Sequence, residues 1–510
     1  MPNPPLDRRK FFGSAAALSL SATSYANVVG SNQQLRVAFL GCGGRAQAHI
    51  DLVNKFAAEG KGVKPVAVCD VWDGLEDEYD VHFGGKVTRR RYSQGLHPSA
   101  RKCGLPAGDK TRVTKDYRVV LDRADVDVVC ITTPDHWHGR MTLDALAAGK
   151  DVFVEKPMTR TAEEAVAVLD AWRHTGRVVT VGVQAMADAV WVRAFDAVRT
   201  GTIGHVCHAQ TGFFRNDIRG QWRFYRLAKE MTPRTVDWDL FLGHQFECAG
   251  GRVGPTAREQ PFDRATFAQW RCQSRFSGGP FTDLLVSHVT RMSAAMGVHF
   301  PARVTAGGGL YLEYDGRDVP DVSTVVADYE EGCQLVATAT TLSGYPTEDV
   351  IRGRLGAIKF VKGGFQLFKD DPARGASFPP RMEQPMAPTA FEAVEPPRND
   401  TEALWLNFLE CARARRQSTF CPPDLGAVGV VFAVMAEQSY RSGLALFWDS
   451  ERRLVVPANA AWADRLEKKS KERGRPNQVF GWGGGDGGAV QPPAHQSLGG
   501  PWVNGKDPAG

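Results

Sequence analysis

One short segment constrains the fold of this 510-residue chain more than any other: an apolar strand that runs at once into a glycine turn and a helix. Residues 35–40 (LRVAFL) are almost entirely apolar, which is typical of a parallel strand covered on both faces. The turn GCGGRA occupies residues 41–46, and residues 47–58 have helical composition. Strand, glycine turn and helix in this order predict a dinucleotide-binding α/β domain.

Four residues of the turn have a physical role in that interpretation. Gly41 permits the tight turn, and Gly43 lets a pyrophosphate approach the backbone. The helix that begins beside Gly44 and Arg45 offers free N–H groups and its positive dipole end to the phosphates. We therefore predict that these four residues contact a dinucleotide cofactor.

An acidic residue ends the next apolar strand and indicates which dinucleotide is bound. Asp70 follows the run 66–69 and lies 27 residues after Gly43. A carboxylate there can accept hydrogen bonds from both adenine-ribose hydroxyls and repels a 2′-phosphate, so NAD is favoured over NADP. The alternative is that Asp70 only caps a turn, because Asp73 lies nearby.

Two further strands end in polar residues that must reach the same edge of a parallel sheet. Residues 125–132 form one such run and residues 151–154 the other. Ligands bind outside the carboxyl ends of parallel strands. We predict additional cofactor contacts from the residues that follow these strands: Thr133, Pro134, His136, His138, Glu155 and Lys156. His136 and His138 also suggest a metal pair, but no cysteine or acid cluster completes tetrahedral ligation, so no metal is predicted.

These motifs together resemble a known family. The glycine turn, the sequence TPDHWH and the sequence AGKDVFVEKP resemble the glucose–fructose oxidoreductase, inositol dehydrogenase and MocA (Gfo/Idh/MocA) family, from about residue 35 to about 445. The resemblance implies a Rossmann-type doubly wound parallel sheet, followed by an α+β domain with a large open, mainly antiparallel sheet. It also implies a homo-oligomer formed through that second sheet.

The resemblance further implies that Lys156 is a catalytic lysine near the nicotinamide and that a strained or cis peptide precedes Pro157. Elementary electrostatics agrees, because a cationic nicotinamide ring disfavours the charged form of a neighbouring lysine and suits it to acid–base work. The alternative is a surface lysine paired with Glu155.

A second catalytic cluster is implied by residues 277–288, which resemble the family's Gly-Gly-x-x-x-Asp-x-x-x-His helix start. There Asp283 orients the substrate or the base, and His288 is the general base. Here the expected histidine position holds Ser287, and the extra residue rotates His288 by about 100° on an ideal helix. Many relatives carry an acid three residues after the histidine. This chain has Thr290 there if the count starts at Ser287, and Arg291 if it starts at His288.

Three explanations of that cluster stay open. A local bulge restores His288 to the site, or the base is altered, or Asp283 is a helix cap beside an ordinary polar histidine.

The N-terminal sequence is typical of an export signal. Arg8 and Arg9 precede two phenylalanines and a small apolar stretch, and Ser24-Tyr25-Ala26 has the small residues of a cleavage site. This layout resembles a twin-arginine signal read by the Tat export machinery, which predicts a periplasmic or secreted protein. The alternative is an ordinary basic N-terminus.

The predicted organisation has four parts. They are a signal peptide (1–30), a NAD(P)-binding Rossmann domain (31–157), a substrate-binding α+β domain (158–455) and a disordered tail (456–510). Residues 77–113 are interpreted as a solvated surface insertion, with a phosphate-binding role as the alternative.

Composition excludes several other functions. The formal net charge of +5 is too small for its length to indicate nucleic-acid binding. No apolar run reaches the roughly 18 residues of a membrane-spanning helix, so no stable membrane anchor is expected. Ten cysteines in 510 residues do not make a disulfide scaffold.

Three functions remain from the sequence. The first is an exported NAD(P)-dependent oxidoreductase that acts on a secondary hydroxyl of a sugar, cyclitol or glycoside and holds its cofactor tightly. The second is an NAD-dependent glycosidase that oxidises C3 transiently. The third is a catalytically silent binding protein that keeps the cofactor fold.

Overall fold

The structure, a computed structural model, describes residues 34–83, 85–249, 251–254, 260–370 and 386–457. The strands of its first half are β1 (Leu35–Leu40), β2 (Val63–Cys69), β3 (Leu75–Phe83), β4 (Lys86–Gln94), β5 (Val113–Thr114), β6 (Val128–Ile131), β7 (Asp151–Glu155) and β8 (Val179–Gly182). The helices of this half are α1 (Gly44–Ala58), α2 (Leu96–Lys102), α3 (Tyr117–Leu121), α4 (Asp135–Ala147) and α5 (Ala162–Thr175).

Six of these strands form a parallel sheet in the order β5-β2-β1-β6-β7-β8. Strands β6 and β7 are buried at every position, as expected for strands covered on both faces. Their alternate side chains enter two separate hydrophobic clusters: Val152 and Val154 face one, and Phe153 faces the other. The doubly wound Rossmann-type sheet predicted from the sequence is confirmed.

The second half is built around a much larger sheet. The strands of this half are β9 (Val206–Asn216), β10 (Glu247–Cys248), β11 (Gly251–Arg252), β12 (Arg303–Gly309), β13 (Val322–Asp328), β14 (Gln334–Thr340), β15 (Leu342–Ser343), β16 (Val350–Gly353), β17 (Gly356–Val361), β18 (Gly364–Lys369), β19 (Ala390–Ala393), β20 (Leu446–Asp449) and β21 (Leu454–Pro457). Strands β10 and β11 pair with each other, in a separate two-stranded sheet. The helices of this half are α6 (Val190–Arg199), α7 (Trp238–Leu242), α8 (Arg264–Ala268), α9 (Val286–Met296), α10 (Asp400–Ala414) and α11 (Pro423–Ser442), with 3₁₀ turns at Gln184–Ala187 and Trp270–Cys272 and a π-helical turn at Pro280–Leu285.

The large sheet has eleven strands, ten of them in the order β19-β18-β17-β16-β9-β14-β13-β12-β20-β21, with β15 paired to the end of β9. Strands β9 and β14 run parallel, and the other neighbours are antiparallel. On β14 the buried residues Leu335, Ala337 and Ala339 alternate with partly exposed ones, so one face carries the core. Helix α11 packs there, with Val430 in the same cluster. The predicted open, mainly antiparallel sheet is confirmed.

The boundary predicted between the two domains at residue 157 requires correction. Strand β8 pairs in parallel with β7, so the Rossmann sheet continues to Gly182. Helix α10 returns to that sheet from late in the chain, and its Trp405 and Phe408 join the cluster around Phe153. Strand membership is set by long-range pairing, which a motif such as Glu-Lys-Pro does not mark.

Helix α2, in the second part of the predicted insertion (77–113), buries Leu96 and Ala100 in the cluster around Phe153, so this part is not a solvated surface segment. The first part is a hairpin of β3 and β4. Arg89, Arg90 and Arg91 are exposed on it, as a solvated surface segment requires. The C-terminal end of β4 nevertheless faces the interior, because Tyr92 and Gln94 line the first cavity described below.

The two ends of the chain are described only in small part. The predicted signal peptide lies outside the described residues, and so does the predicted tail apart from its first two residues. Those two, Val456 and Pro457, are the last residues of strand β21, so this strand crosses the predicted boundary. Among the helices of the described ranges, none combines the length and the apolar character that crossing a membrane requires.

Candidate active site

The glycine turn has the geometry that its sequence predicts. Gly41 has a φ of 85°, and a Cβ built on it would lie 2.7 Å from the backbone nitrogen of Thr133. A Cβ on Gly43 would meet no atom within 4 Å. Helix α1 begins at Gly44 without a side-chain cap and without an acid in its first turn. Its first N–H groups are therefore available to an anion.

A cavity of about 440 Å³, here called the nucleotide cavity, opens in front of this turn. The predicted cofactor residues that line it are Gly41, Gly43, Gly44, Arg45, Asp70, Thr133 and Pro134. The buried hydroxyl of Thr133 has no hydrogen-bond partner among the described residues. An open glycine cradle, an uncapped helix and an orphan hydroxyl fit a dinucleotide.

Asp70 lines the nucleotide cavity beside the glycine turn. Its carboxylate accepts hydrogen bonds from the backbone N–H groups of Cys42, at 2.6 Å, and Trp72, at 2.8 Å. The second bond is the turn contact of the alternative interpretation, and it leaves further lone pairs on both oxygens. Burial raises the pKa of Asp70 to about 6, against the opposing effect of these two bonds.

A second cavity, also of about 440 Å³ and here called the catalytic cavity, adjoins the first. Arg45, Thr133, Tyr225 and Arg271 line both cavities, so the two are contiguous. The predicted site residues that line the catalytic cavity are Arg45, Thr133, His138, Glu155, Lys156, Asp283 and His288. The structure thus brings together the residues of the Rossmann rim and those of the second domain.

Lys156 is paired with Asp283, and not with Glu155 as the alternative interpretation proposed. Its Nζ donates to the Asp283 Oδ1 at 2.8 Å and to the Asp283 carbonyl oxygen at 2.6 Å. Burial opposes ionisation of Asp283, but the charges of Lys156 and Arg271 outweigh it and hold the pKa of Asp283 well below its usual range. The Lys156–Pro157 peptide is cis, as the resemblance implied.

Glu155 instead anchors a buried network beneath the lysine. Its Oε1 accepts from Arg45 Nε at 2.7 Å and from Gln184 Nε2 at 2.8 Å, and it lies 2.8 Å from His49 Nε2. Trp405 donates to the other ring nitrogen of His49, so His49 carries its proton toward Glu155. Burial opposes the charge on Glu155, yet Arg45 and His49 keep its pKa well below the usual range.

The question of helical register at His288 is answered by a π-helical turn. Residues Pro280–Leu285 form this turn immediately before α9. Because a π turn spans one residue more than an α turn, the five-residue step from Asp283 to His288 returns to nearly the same face. Both residues line the catalytic cavity, and Ser287 lines it as well. The first of the three explanations, a local bulge, describes the structure.

Two of the predicted cofactor residues are used differently. His136 lines neither cavity: its Nε2 lies 2.9 Å from the carbonyl oxygen of Phe241, and its ring packs against Phe241 and Phe276. The prediction of a cofactor contact there requires correction, because Asp135 begins α4 and the helix turns His136 away from the rim. His138 lies between the carbonyl oxygens of Thr133 and Pro157, at 2.9 and 2.6 Å, and joins the two rim segments.

Two site residues were missed from the sequence. Trp222 donates from its indole nitrogen to Asp283 Oδ2 at 2.7 Å, and Arg271 donates to Asp283 Oδ1 at 3.1 Å. Trp222 comes from an irregular segment of the second domain, and Arg271 comes from the 3₁₀ turn at Trp270–Cys272. No local sequence pattern marked Trp222 or Arg271 as a site residue.

Comparison with known proteins agrees with this geometry. Residues 35–183 match the Gfo/Idh/MocA family, an oxidoreductase family with an NAD-binding Rossmann fold. The chain is 26% identical over 207 residues to an alpha-N-acetylgalactosaminidase of Shewanella oneidensis, which covers 41% of this chain and 39% of the relative. It is 29% identical over 216 residues to a glycosyl hydrolase family 109 protein of Shewanella pealeana, covering 42% and 41% respectively. The chain therefore spans about two fifths of the length of these curated relatives.

Solved structures share the fold over a longer stretch. The aldose-aldose oxidoreductase of Caulobacter crescentus, complexed with glycerol, superposes with a TM-score of 0.53 at 20% identity, over 81% of this chain and 100% of that one. The WlbA dehydrogenase of Bordetella pertussis, in complex with NADH and UDP-GlcNAcA, gives 0.53 at 15% identity, over 82% and 99%. Residues 35–183 are therefore the part of this chain that matches the Gfo/Idh/MocA oxidoreductase family, and the match is to its NAD-binding Rossmann fold.

Proposed function

We propose that this protein is an NAD-dependent oxidoreductase that acts on a secondary hydroxyl of a sugar, cyclitol or glycoside. The observation that carries the proposal is the position of Lys156 and Asp283 in a cavity contiguous with the nucleotide cavity. This contiguity supports an acid–base role for the pair beside a bound nicotinamide. The named substrates of the relatives and structural neighbours support the carbohydrate class.

The residues of the chain have separable roles in this proposal. NAD, when bound, supplies the acceptor for the hydride that leaves the carbinol carbon. Lys156 exchanges the hydroxyl proton, and Asp283, held by Trp222 and Arg271, fixes the position of Nζ. Glu155 holds Arg45 at the junction of the two cavities.

A glycosidase is the second candidate, and the relatives named alpha-N-acetylgalactosaminidase and glycosyl hydrolase family 109 favour it. Oxidation at C3 of the sugar acidifies the proton at C2, so the aglycone can leave by elimination. Water addition and re-reduction then complete a cycle without net redox change. The same two cavities serve both reactions. A catalytically silent binding protein is the third candidate.

One assay separates these candidates. Protein isolated from the periplasmic fraction is examined by mass spectrometry for bound nicotinamide, then mixed with a panel of sugars and aryl glycosides in single turnover. Nicotinamide absorbance reports oxidation, and aryl release reports glycoside cleavage. We expect reduction of the bound cofactor by at least one sugar or glycoside. A cofactor-loaded protein that shows neither signal across the panel would support the binding-protein candidate.

Export and assembly are part of the same proposal. Free nicotinamide is scarce outside the cytoplasm, so an exported enzyme must carry its cofactor tightly and regenerate it in each cycle. The Arg8-Arg9 segment supports twin-arginine export of the folded, loaded protein. We also propose a homo-oligomer through the large sheet, on whose uncovered face Thr324 of β13 is exposed.

Asp70 provides a test of cofactor choice. Asp70→Ala should weaken NAD binding and raise tolerance of NADP, because the mutant loses both the ribose acceptor and the charge that repels a 2′-phosphate. Wild-type affinity for NAD should fall as the pH drops through about 6, where the carboxylate gains a proton. Fluorescence titration with both dinucleotides across this pH range measures both effects. An unchanged preference in Asp70→Ala would contradict the ribose role.

A further inference from the structure

His288 has a hydrogen-bond partner that decides which of its nitrogens carries the proton. Arg291, one helical turn further along α9, donates from Nη2 to His288 Nδ1 at 2.7 Å. The same nitrogen donates to Asp349 Oδ2 at 2.9 Å, which holds the guanidinium in place. A guanidinium offers only donors, so Nδ1 must accept. A neutral His288 therefore carries its proton on Nε2.

The surroundings also keep the ring neutral. Burial is the main cause that lowers the pKa of His288 to about 3, and the positive charges of Arg291 and Lys156 add to it. Other described groups in contact with this cluster are Phe213, whose ring meets His288 edge-on, and Asp349, which is bound to Arg291. The centre of the Trp191 ring also lies 4.9 Å from the Arg291 guanidinium. A neutral ring whose Nδ1 is occupied by a donor has no lone pair left on Nε2. It can donate to a ligand in the cavity but cannot take a proton from one.

We propose that Arg291 is a positioning residue that fixes His288 as a hydrogen-bond donor to the substrate oxygen, so that Lys156 and not His288 takes the hydroxyl proton. This inference rests on the proposed function, and it corrects the general-base role that the resemblance implied for His288. In the oxidation, the carbinol C–H bond breaks and its electron pair leaves as hydride to NAD, which is reduced. Lys156, whose ammonium group pairs with Asp283, first releases a proton to solvent, because a cationic nicotinamide disfavours a second positive charge beside it. The O–H proton then passes to the neutral Nζ, and the C–O bond becomes a carbonyl.

The sign of the charge at position 291 determines which ring nitrogen of His288 carries the proton. A carboxylate at the same place would accept a hydrogen bond from Nδ1–H and leave Nε2 with a free lone pair, which is the tautomer of a general base. Arg291→Glu should therefore reverse the proton position on His288. Arg291→Lys should preserve it, because an ammonium group also only donates.

Nitrogen NMR of histidine tests the tautomer without any substrate. Full-length protein labelled with ¹⁵N-histidine is compared with the same protein carrying His288→Gln, and the difference isolates the His288 signals. We expect the Nε2–H pattern in the wild type and in Arg291→Lys, and the Nδ1–H pattern in Arg291→Glu. A wild-type ring protonated on Nδ1 or on both nitrogens at neutral pH would overturn the proposal.

Kinetics then separates a donor from a base. Glutamine can donate from a nitrogen near the position of Nε2 but cannot act as a base, so His288→Gln should be at least about tenfold faster than His288→Ala in single turnover. Equal, severe losses in both variants would overturn the donor role. If no variant or wild-type protein turns over any substrate, the proposed function fails, while the NMR result on the tautomer still stands or falls by itself.

Discussion

Lys156→Ala is expected to slow single turnover by about a hundredfold or more while cofactor binding changes little. A hundredfold loss corresponds to about 2.7 kcal/mol of transition-state stabilisation. The reason is that Nζ lies in the catalytic cavity and is the group assigned to the hydroxyl proton, whereas Lys156 does not line the nucleotide cavity. The measurement is nicotinamide absorbance after mixing the cofactor-loaded variant with its best substrate.

Ser287→Ala provides the matched control for this experiment. Ser287 lines the same cavity, but the π-helical turn gives the family's histidine position to His288, so loss of the hydroxyl should be mild. Asp283 keeps Arg271 and Trp222 as partners when the lysine is removed, and the variant should therefore fold. A silent Lys156→Ala together with a severe Ser287→Ala would contradict the assignment of the proton-transfer group.

The sequence predicted those parts of the site that depend on one rule of parallel sheets. Gly41, Asp70, Thr133 and Lys156 each follow closely on an apolar strand, and the carboxyl ends of parallel strands share an edge. Their meeting in two contiguous cavities therefore needs no knowledge of distant contacts. The rule fails for His136, because the backbone has already turned into α4 at Asp135.

Other features depend on pairings that no local pattern records. Strand β8 follows the Glu-Lys-Pro motif and a whole helix, yet it completes the first sheet. Trp222 reaches Asp283 from an irregular segment, with a φ of 64°, that is 61 residues away in the chain. The role of Arg291 depends on its hydrogen bond to Asp349, which holds the guanidinium in place. Asp349 lies just before the start of β16, so no strand pattern marks it.

Gly41→Ala and Gly43→Ala should separate folding from cofactor binding at the same turn. At Gly41 a Cβ would overlap the backbone of Thr132 and Thr133, and the positive φ is itself unfavourable for alanine by roughly 1–2 kcal/mol. We expect a clear fall in the thermal unfolding midpoint of this variant. At Gly43 the φ of −73° suits any residue, and a Cβ meets no atom within 4 Å, so the midpoint should stay close to that of the wild type.

NAD affinity should nevertheless fall in Gly43→Ala, by about tenfold or more, which is about 1.4 kcal/mol of binding free energy. The open space in front of Gly43 is where the backbone would approach the pyrophosphate, and a methyl group there keeps the phosphate away from the first N–H groups of α1. Calorimetric unfolding and dinucleotide titration, each carried out on both variants, measure the two effects separately. Undiminished NAD affinity in Gly43→Ala would mean that the phosphates do not lie against this turn, and the nucleotide cavity would then need another occupant.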